Sequence, residues 1–488
     1  MASTLPERIV ACLLGLAGRA SAWAEAHPDA PLAEQEWAVL GLVRASVPAL
    51  LEAVMFACTP ELSEPGLSAR RACPGCGKGR RPHERRARAV LTVCGAVTYE
   101  RAYYYCRACR RGWAPADESL GLSPFQRASE RVREWVVWLA AVTVFREAET
   151  WLAKLTGLGL GAETIRAHAG AAGAELAAAR ERAAEAVGRT REAAEPVDAA
   201  PGQLVVETDG VMVRYRSGWH EVKLGVVGGW DGEETVAHSY VASRRGAEDF
   251  GPLLLAEAAR RGALDVVGRV GAVTRRGLYV LRSVVVLADG AAWIWNLAAD
   301  HFGERTEIVD FYHAAEHLWA VADAVYGTGS EAAREWAKAR VHELRDEGAA
   351  PVLKALAALL PRQAAAEAGE PADEEPGAAA PDAGSPPPAL TEPAAELVRQ
   401  TRGYFRANRA RMDYPRFREL GLPIGSGAVE SAAKYVVQLR MKRPGSRWSD
   451  EGAEAILAVR ERSLSGRTIL PSAQAPPTPA PKPTKQAA

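Results

Sequence analysis

Two stretches of the chain, "LVVETDG" at 204–210 and "SVVVLADG" at 283–290, constrain its fold more than any other feature. Each is a β-branched apolar run, the composition of a buried strand, closed by Asp-Gly. An Asp-Gly pair between apolar runs is a hairpin signal in its own right, because Gly accepts the positive φ of a tight turn. The run "VMVRY" that follows Gly210 fits that reading. A chemical reading competes with it: acids at the carboxyl ends of neighbouring strands meet in space however far apart they lie in sequence. Asp209 and Asp289 are then expected side by side at one sheet edge. Alternation turns Glu207 toward the same face, where solvent or a neighbouring arginine accounts for it.

A third acid, Glu430, lies in "GLPIGSGAVESAAKYVVQLRMKRPGSRW", where a Gly-Ser-Gly turn precedes a helix and sets the carboxylate in its first turns. Two strand-end Asp and one helix Glu make a site for two Mg²⁺ or Mn²⁺ ions, hard cations that take carboxylate oxygens and keep places open for phosphate. Such a pair of ions, ~3.5–4 Å apart, activates one oxygen and stabilises the leaving one in phosphodiester displacement. Alone, each acid is equally a turn residue or a solvated helix position; the three together carry the reading. Lys434, Arg440, Lys442, Arg443 and Arg447 follow Glu430 with no intervening acid, a cationic track suited to a phosphate backbone. "IVDFYHAAEHLW" adds Asp310 and His313, expected beside the metals with His313 toward phosphate, although a core or capping histidine explains His313 nearly as well. Trp293, Trp295 and Trp448 read as core more readily than as platforms for bases.

The second constraint is a pair of CxxC knuckles, Cys73–Cys76 and Cys106–Cys109, separated by the alternating stretch "VLTVCGAVTYERAYYYC". Four thiolates on two knuckles suit one structural, tetrahedral zinc and leave no open position for catalysis. Cys94 reads as a packed residue within a strand. The segment is rich in arginine: Arg80, Arg81, Arg85, Arg86, Arg107, Arg110 and Arg111 are candidates for contact with a nucleic-acid backbone, with only Glu84 and Glu100 opposing them locally. A solvated charged surface is the plainer alternative. Next, "FREAETWLAKLTGLGLGAETIRAHAGAAG" has the outline of a helix-turn-helix, its second helix near Glu163–Ala171; plain packing of two helices explains it as well.

The remaining pattern sets the organisation. At 488 residues there is room for about three domains, and Lys plus Arg balance Asp plus Glu at 60 each, so only local clustering speaks of partners. Helical periodicity predicts a helical N-terminal domain at 1–66, whose role is not readable. The cysteine module follows at 67–122 and a helical region at 123–195. A mixed α/β core begins at 200–312, is interrupted by helices at 313–420, and ends at 421–465. Within the interruption, 362–393 is an acidic Ala/Pro-rich linker, and 466–488 is a Pro-rich tail. No apolar run reaches the ~18 residues of a membrane span, and a cytoplasmic, nucleoid-associated protein without a membrane partner is expected.

The order of these parts, "CPGC…CRAC", "ETDGVMV", "LADGAAWIW", "DFYHAAEHLW" and "GSGAVESAAKYVVQLRMKRPGSRW", resembles bacterial insertion-sequence transposases of the ISKra type, in the Mutator-like DDE group. The resemblance runs from about Arg70 to Arg462. It implies a multidomain α/β chain with an RNase H-like mixed-sheet core and an all-α insertion, preceded by a zinc ribbon and a helix-turn-helix-like segment. It makes Asp209, Asp289 and Glu430 the catalytic triad. His313 matches the His of the group's Cys-x-x-His element, but Asp310 stands where the group has Cys. The function implied is Mg²⁺-dependent strand cleavage and strand transfer on double-stranded DNA, at terminal inverted repeats and a target, by an oligomer assembled on DNA. An RNase H-like nuclease without strand transfer, or a domesticated non-catalytic DNA-binding protein, are the alternatives.

Overall fold

The structure, a computed structural model, describes residues 4–190, 198–266, 279–281, 283–360 and 390–470. The expected linker falls on 362–389 outside these residues, as do the tail beyond 470 and the end of the helical region at 191–195. The chain divides into two units, Met1–Ala172 with Thr468–Ala488, and Gly173–Arg467. It is mixed α/β with several sheets.

The first unit opens with two helices packed on each other, Leu5–Ala26 and Leu32–Cys58. A capping box between Thr4 and Glu7 starts the first. Both are long and apolar enough to cross a bilayer, which corrects the expectation that no run reaches that length. Charges such as Arg44 and Glu52 fall singly along the second helix, so they break up the run in sequence without removing its apolar character.

Strands β1 (Arg71–Ala72) and β2 (Gly79–Arg80) form the first knuckle's small hairpin. Strands β3 (Glu84–Thr92), β4 (Gly95–Cys106) and β5 (Arg111–Trp113) form an antiparallel sheet. Along β4 the buried positions switch from Val97 and Tyr99 to Ala102, Tyr104 and Cys106. One strand therefore feeds two small cores, one with Leu62, Val90 and Ala116, the other with Leu67, Cys73 and Trp113. Cys94 lies in the β3–β4 turn rather than in a strand. Helices Glu130–Val142, Phe145–Thr156 and Ala162–Thr190 follow, and Gly157, at φ 77°, ends the second of them.

The second unit is built on β6 (Gln203–Tyr215), β7 (Gly218–Trp230), β8 (Thr235–Ser243), β11 (Val284–Ala288) and β12 (Arg305–Val309), in the spatial order β12-β11-β6-β7-β8. Between β8 and β11 lie helix Ala247–Arg260 and a separate antiparallel pair, β9 (Leu264–Val266) and β10 (Tyr279–Leu281). Pairing is antiparallel across β7 and parallel from β6 through β11 to β12, so β7 alone runs against the rest of this sheet. Asp209-Gly210 is not a turn: β6 continues through it to Tyr215, and the hairpin is made at Arg216–Ser217. At Gly210 a Cβ would lie 2.1 Å from the Glu221 carboxylate on β7, so any side chain there would have to displace that glutamate.

Strand β11 is buried at every residue, as its unbroken apolar run requires. Its core partners include Leu204, Val206, Phe250, Leu254, Ile294 and Leu318. After β12 come helices Phe311–Tyr326, Glu331–Glu347, Ala349–Leu359, Glu392–Ala407 and Tyr414–Glu419. The chain returns to β6 and β7 with helix Gly427–Ala432, which continues through a π-helical turn, Ala433–Gln438. The last helix, Asp450–Leu464, packs on β8.

Candidate functional site

The cysteine module brings its four predicted ligands together. The sulfurs of Cys73, Cys76, Cys106 and Cys109 all lie within 4.8 Å of one another. Cys73–Cys109 and Cys76–Cys106 are 3.9 and 3.8 Å apart. Zn–S bonds of ~2.3 Å in a tetrahedron require sulfurs ~3.8 Å apart, so the spacing is that of a structural zinc. The thiols conflict electrostatically. Cys106 is lowered to about 6, first by the Cys109 N–H, while contact with Cys76 pushes Cys109 up to about 12. A divalent cation at the centre relieves that conflict. Arg80 donates to Cys106 Sγ at 3.1 Å, so this arginine serves the cluster.

Two other arginines expected to face a nucleic acid are paired instead, one with an acid outside the stretch and one with Glu84 inside it. Arg85 pairs with Glu64 (2.7 Å) and Arg86 with Glu84 (2.7 Å). Arg81, Arg107, Arg110 and Arg111 are exposed, without an ion pair among the described residues. In the second unit Lys434, Lys442, Arg443 and Arg447 are exposed, but Arg440 is 2% exposed and stacks on Trp448, which corrects its placement in the cationic track. Trp448 is itself buried, with its indole N–H on the Met441 carbonyl. Trp295 is buried beneath Arg411.

The acidic edge is assembled by strand register. Ala288 of β11 lies opposite both Thr208 of β6 and Val309 of β12. The residues that follow are Asp289, Asp209 and Asp310, the first and last just past their strand ends, so the three aspartates stand in one row at this edge. Asp209 and Asp289 are half-buried. Each gives one oxygen to a neighbouring backbone N–H, Gly210 at 2.6 Å and Ala291 at 2.9 Å, and Oδ2 of each makes no hydrogen bond among the described residues. Burial raises Asp209 above the usual carboxylate range against the Gly210 N–H, and the nearby Asp289 adds to the rise while His313 opposes it.

Asp310 has another task. Fully buried, it accepts from the N–H of His313 (2.6 Å), capping helix Phe311–Tyr326, and from the N–H of Ser426. Glu207 matches it. Rather than facing solvent or an arginine, it is 1% exposed and accepts from Thr235 Oγ1 (3.0 Å) and from the Val429 N–H (2.9 Å). Burial holds Glu207 up at about 7. Two buried carboxylates thus fasten the N-terminus of helix Gly427–Ala432, where free N–H groups favour acceptors.

Glu430 is the next residue after Val429. It is exposed, and its side chain has no partner among the described residues. Its carboxylate is not drawn in with the two aspartates: among the described residues no three acids bring oxygens within 4.8 Å of one another.

Three further residues shape this edge, and the sequence had singled out one of them, Gly290 of the second Asp-Gly pair. Tyr404 donates to the Asp289 carbonyl (2.8 Å) and lies against His317, with ring centroids 4.4 Å apart. Gly290 takes φ 101°, and a Cβ there would meet the Tyr404 ring at 2.7 Å. Lys223, opposite Gly210, is ion-paired to Glu221 and sits 4.4 Å from the Trp293 ring centroid. Tyr404 and Lys223 carried no such signal.

A model of an uncharacterised protein family (UPF0236) matches residues 81–244, from the ribbon through β8. No curated protein matches the chain.

Proposed function

We propose that the chain is a DNA transposase of the Mutator-like DDE kind, with an RNase H-like core. It binds the terminal inverted repeats of its element and catalyses strand cleavage and strand transfer. The observation that carries this reading is the parallel register of β6 and β11, which sets Asp209 beside Asp289 with one oxygen of each left over. A five-stranded sheet in which only the second strand of the meander runs against the others supports the RNase H-like assignment.

The leftover oxygens of Asp209 and Asp289 suit a hard cation and would hold Mg²⁺, and Glu430, whose carboxylate is not drawn in with them here, would have to move to join them. Bound there, Mg²⁺ would supply the positive charge that stabilises attacking and leaving oxygens. Glu207 and Asp310 hold the backbone that carries Glu430, His313 offsets the charge at Asp209, and Tyr404 fixes the turn after Asp289. Lys434, Lys442, Arg443 and Arg447 would grip the strand, with the ribbon supplying affinity for the repeats.

The test is Mg²⁺-dependent nicking of a repeat-ended duplex by the full chain. Wild type should nick, and Asp289→Asn, melting at the wild-type temperature, should not. Equal rates would remove Asp289 and the reading with it, whereas nicking without joining of a pre-cut end to a target plasmid would leave a nuclease.

A further inference from the structure

Phe125 is 97% exposed and has a φ of 63°. It occupies the third position of a turn, Ser123-Pro124-Phe125-Gln126, closed by the Gln126 N–H on the Ser123 carbonyl at 3.2 Å. Pro suits the second position of such a turn, but a positive φ at the third is the place of Gly or Asn. A phenylalanine there strains the backbone and buries nothing, so folding gives no reason for it. The turn is nevertheless held firmly. Arg88 donates to the carbonyls of Ser123 (2.9 Å) and Gln126 (2.6 Å), and Gln126 to that of Ala128 (2.8 Å). The next residues pair with β3: the Leu91 N–H donates to Arg127 and Leu91 accepts from Ser129, both at 2.8 Å.

The ring stands at the rim of a cavity of about 740 Å³ lined by five arginines, Arg86, Arg88, Arg101, Arg111 and Arg127, against two acids, Asp117 and Glu118. Asp117 is engaged by Arg88 (2.6 Å) and Arg101 (2.7 Å). Arg111 and Arg127 are exposed and have no ion pair among the described residues. On the cavity wall the Arg86 guanidinium lies 3.8 Å from the Tyr103 ring centroid. Gly112 leaves room for that ring, since a Cβ there would lie 1.9 Å from the Tyr103 hydroxyl.

We infer that this cavity is a nucleic-acid subsite, in which Arg111 and Arg127 hold backbone phosphate and Phe125 inserts against a base. Cation-lined grooves with a projecting aromatic ring suit this ligand, because every base offers a face for stacking and apolar wedges enter between base steps. The inference rests on the proposed DNA binding and names where the ribbon unit makes contact.

The experiment uses the full chain and a repeat-ended duplex carrying 2-aminopurine. Wild type should bind with a rise in 2-aminopurine fluorescence. Phe125→Ala and Phe125→Gly should each weaken binding about tenfold, the scale of one base–aromatic stack, abolish the rise and leave the salt dependence unchanged. Phe125→Gly also relieves the positive φ and should melt no lower than wild type, so lost binding in it is not lost folding. Arg111→Ala with Arg127→Ala should lower the salt slope by about two. Wild-type affinity and fluorescence in both Phe125 variants overturn the inference while DNA binding stands, and capture of an apolar peptide with DNA binding unaltered overturns it in favour of a protein partner. No DNA binding by wild type at all would sink the transposase reading itself.

Discussion

The cysteine cluster and the acidic edge solve one problem, gathering like-charged side chains, in opposite ways. The sulfurs stand at tetrahedral spacing from two short knuckles joined by one hairpin. The aspartates are set side by side by parallel pairing of strands far apart in sequence, and Glu430 stays outside. The ribbon's own cores are a handful of side chains each, so its ligands are also part of its interior. The sheet has a large core without its acids. A site that completes the fold must form with it, whereas a site on a finished fold can wait for its ion and substrate.

The largest effect follows for the ribbon. Cys106→Ala, or a strong chelator, should remove about one zinc per chain and unfold β3–β5, since structural zinc contributes ~10–16 kcal/mol of apparent binding free energy in small domains. Zinc content with hydrogen exchange of that sheet checks it; a protected sheet without zinc would erase the contrast. The acidic edge should behave oppositely. Asp209→Asn and Glu430→Gln should each cost ~10³-fold in nicking, about 4 kcal/mol of transition-state stabilisation, without lowering the melting temperature. If only Asp209→Asn lost activity, Glu430 would lie outside the site in solution as well.

The same contrast explains what could be read from the sequence. The knuckles and the β3–β4 hairpin are local, and spacing revealed them. The two aspartate-bearing strands were legible as apolar runs, but β6 does not end at Asp209; its neighbour β11 does, at Ala288 opposite Thr208. Glu207 was misread because alternation gives a face and not what covers it, and its cover arrives 222 residues later at Val429. Arg440 and Trp448 stack on each other in the same returning segment, out of reach of solvent. In the ribbon, Glu64 lies beyond the stretch in which charges were weighed, so Arg85 seemed free.

Glu207 provides a smaller and pH-dependent break point. Its folded value is raised from 4.5 to about 7, so the native state holds a proton that the unfolded chain has released. The stabilisation is complete below pH about 4.5 and is lost as pH rises through about 7, a change of ~3 kcal/mol at 1.36 kcal/mol per unit. Glu207→Gln keeps an amide oxygen to accept from the Val429 N–H, can donate its NH₂ to the Thr235 hydroxyl, and cannot ionise. Denaturant unfolding of both proteins at pH 5 and pH 8 should show the variant gaining on wild type by about that amount at the higher pH. Glu461, also raised to about 7 by burial, supplies a parallel slope that the variant keeps. A constant difference between the two proteins would mean that Glu207 stays ionised.

Tyr404→Phe should have a small effect on stability and the smallest but most specific one on the site. The hydroxyl makes one hydrogen bond, to the Asp289 carbonyl, and its loss costs about 1 kcal/mol. The ring remains to fill the space beside Gly290 and His317, so the core is unchanged. If the acidic edge is a site on a finished fold, the variant should melt within a few degrees of wild type yet nick more slowly, because the turn holding Asp289 has lost its tether. In an Asp289→Asn background, Tyr404→Phe should then bring no further change in residual nicking, since the tether acts only through that carboxylate. Additive losses in the double variant would show that Tyr404 contacts the DNA directly.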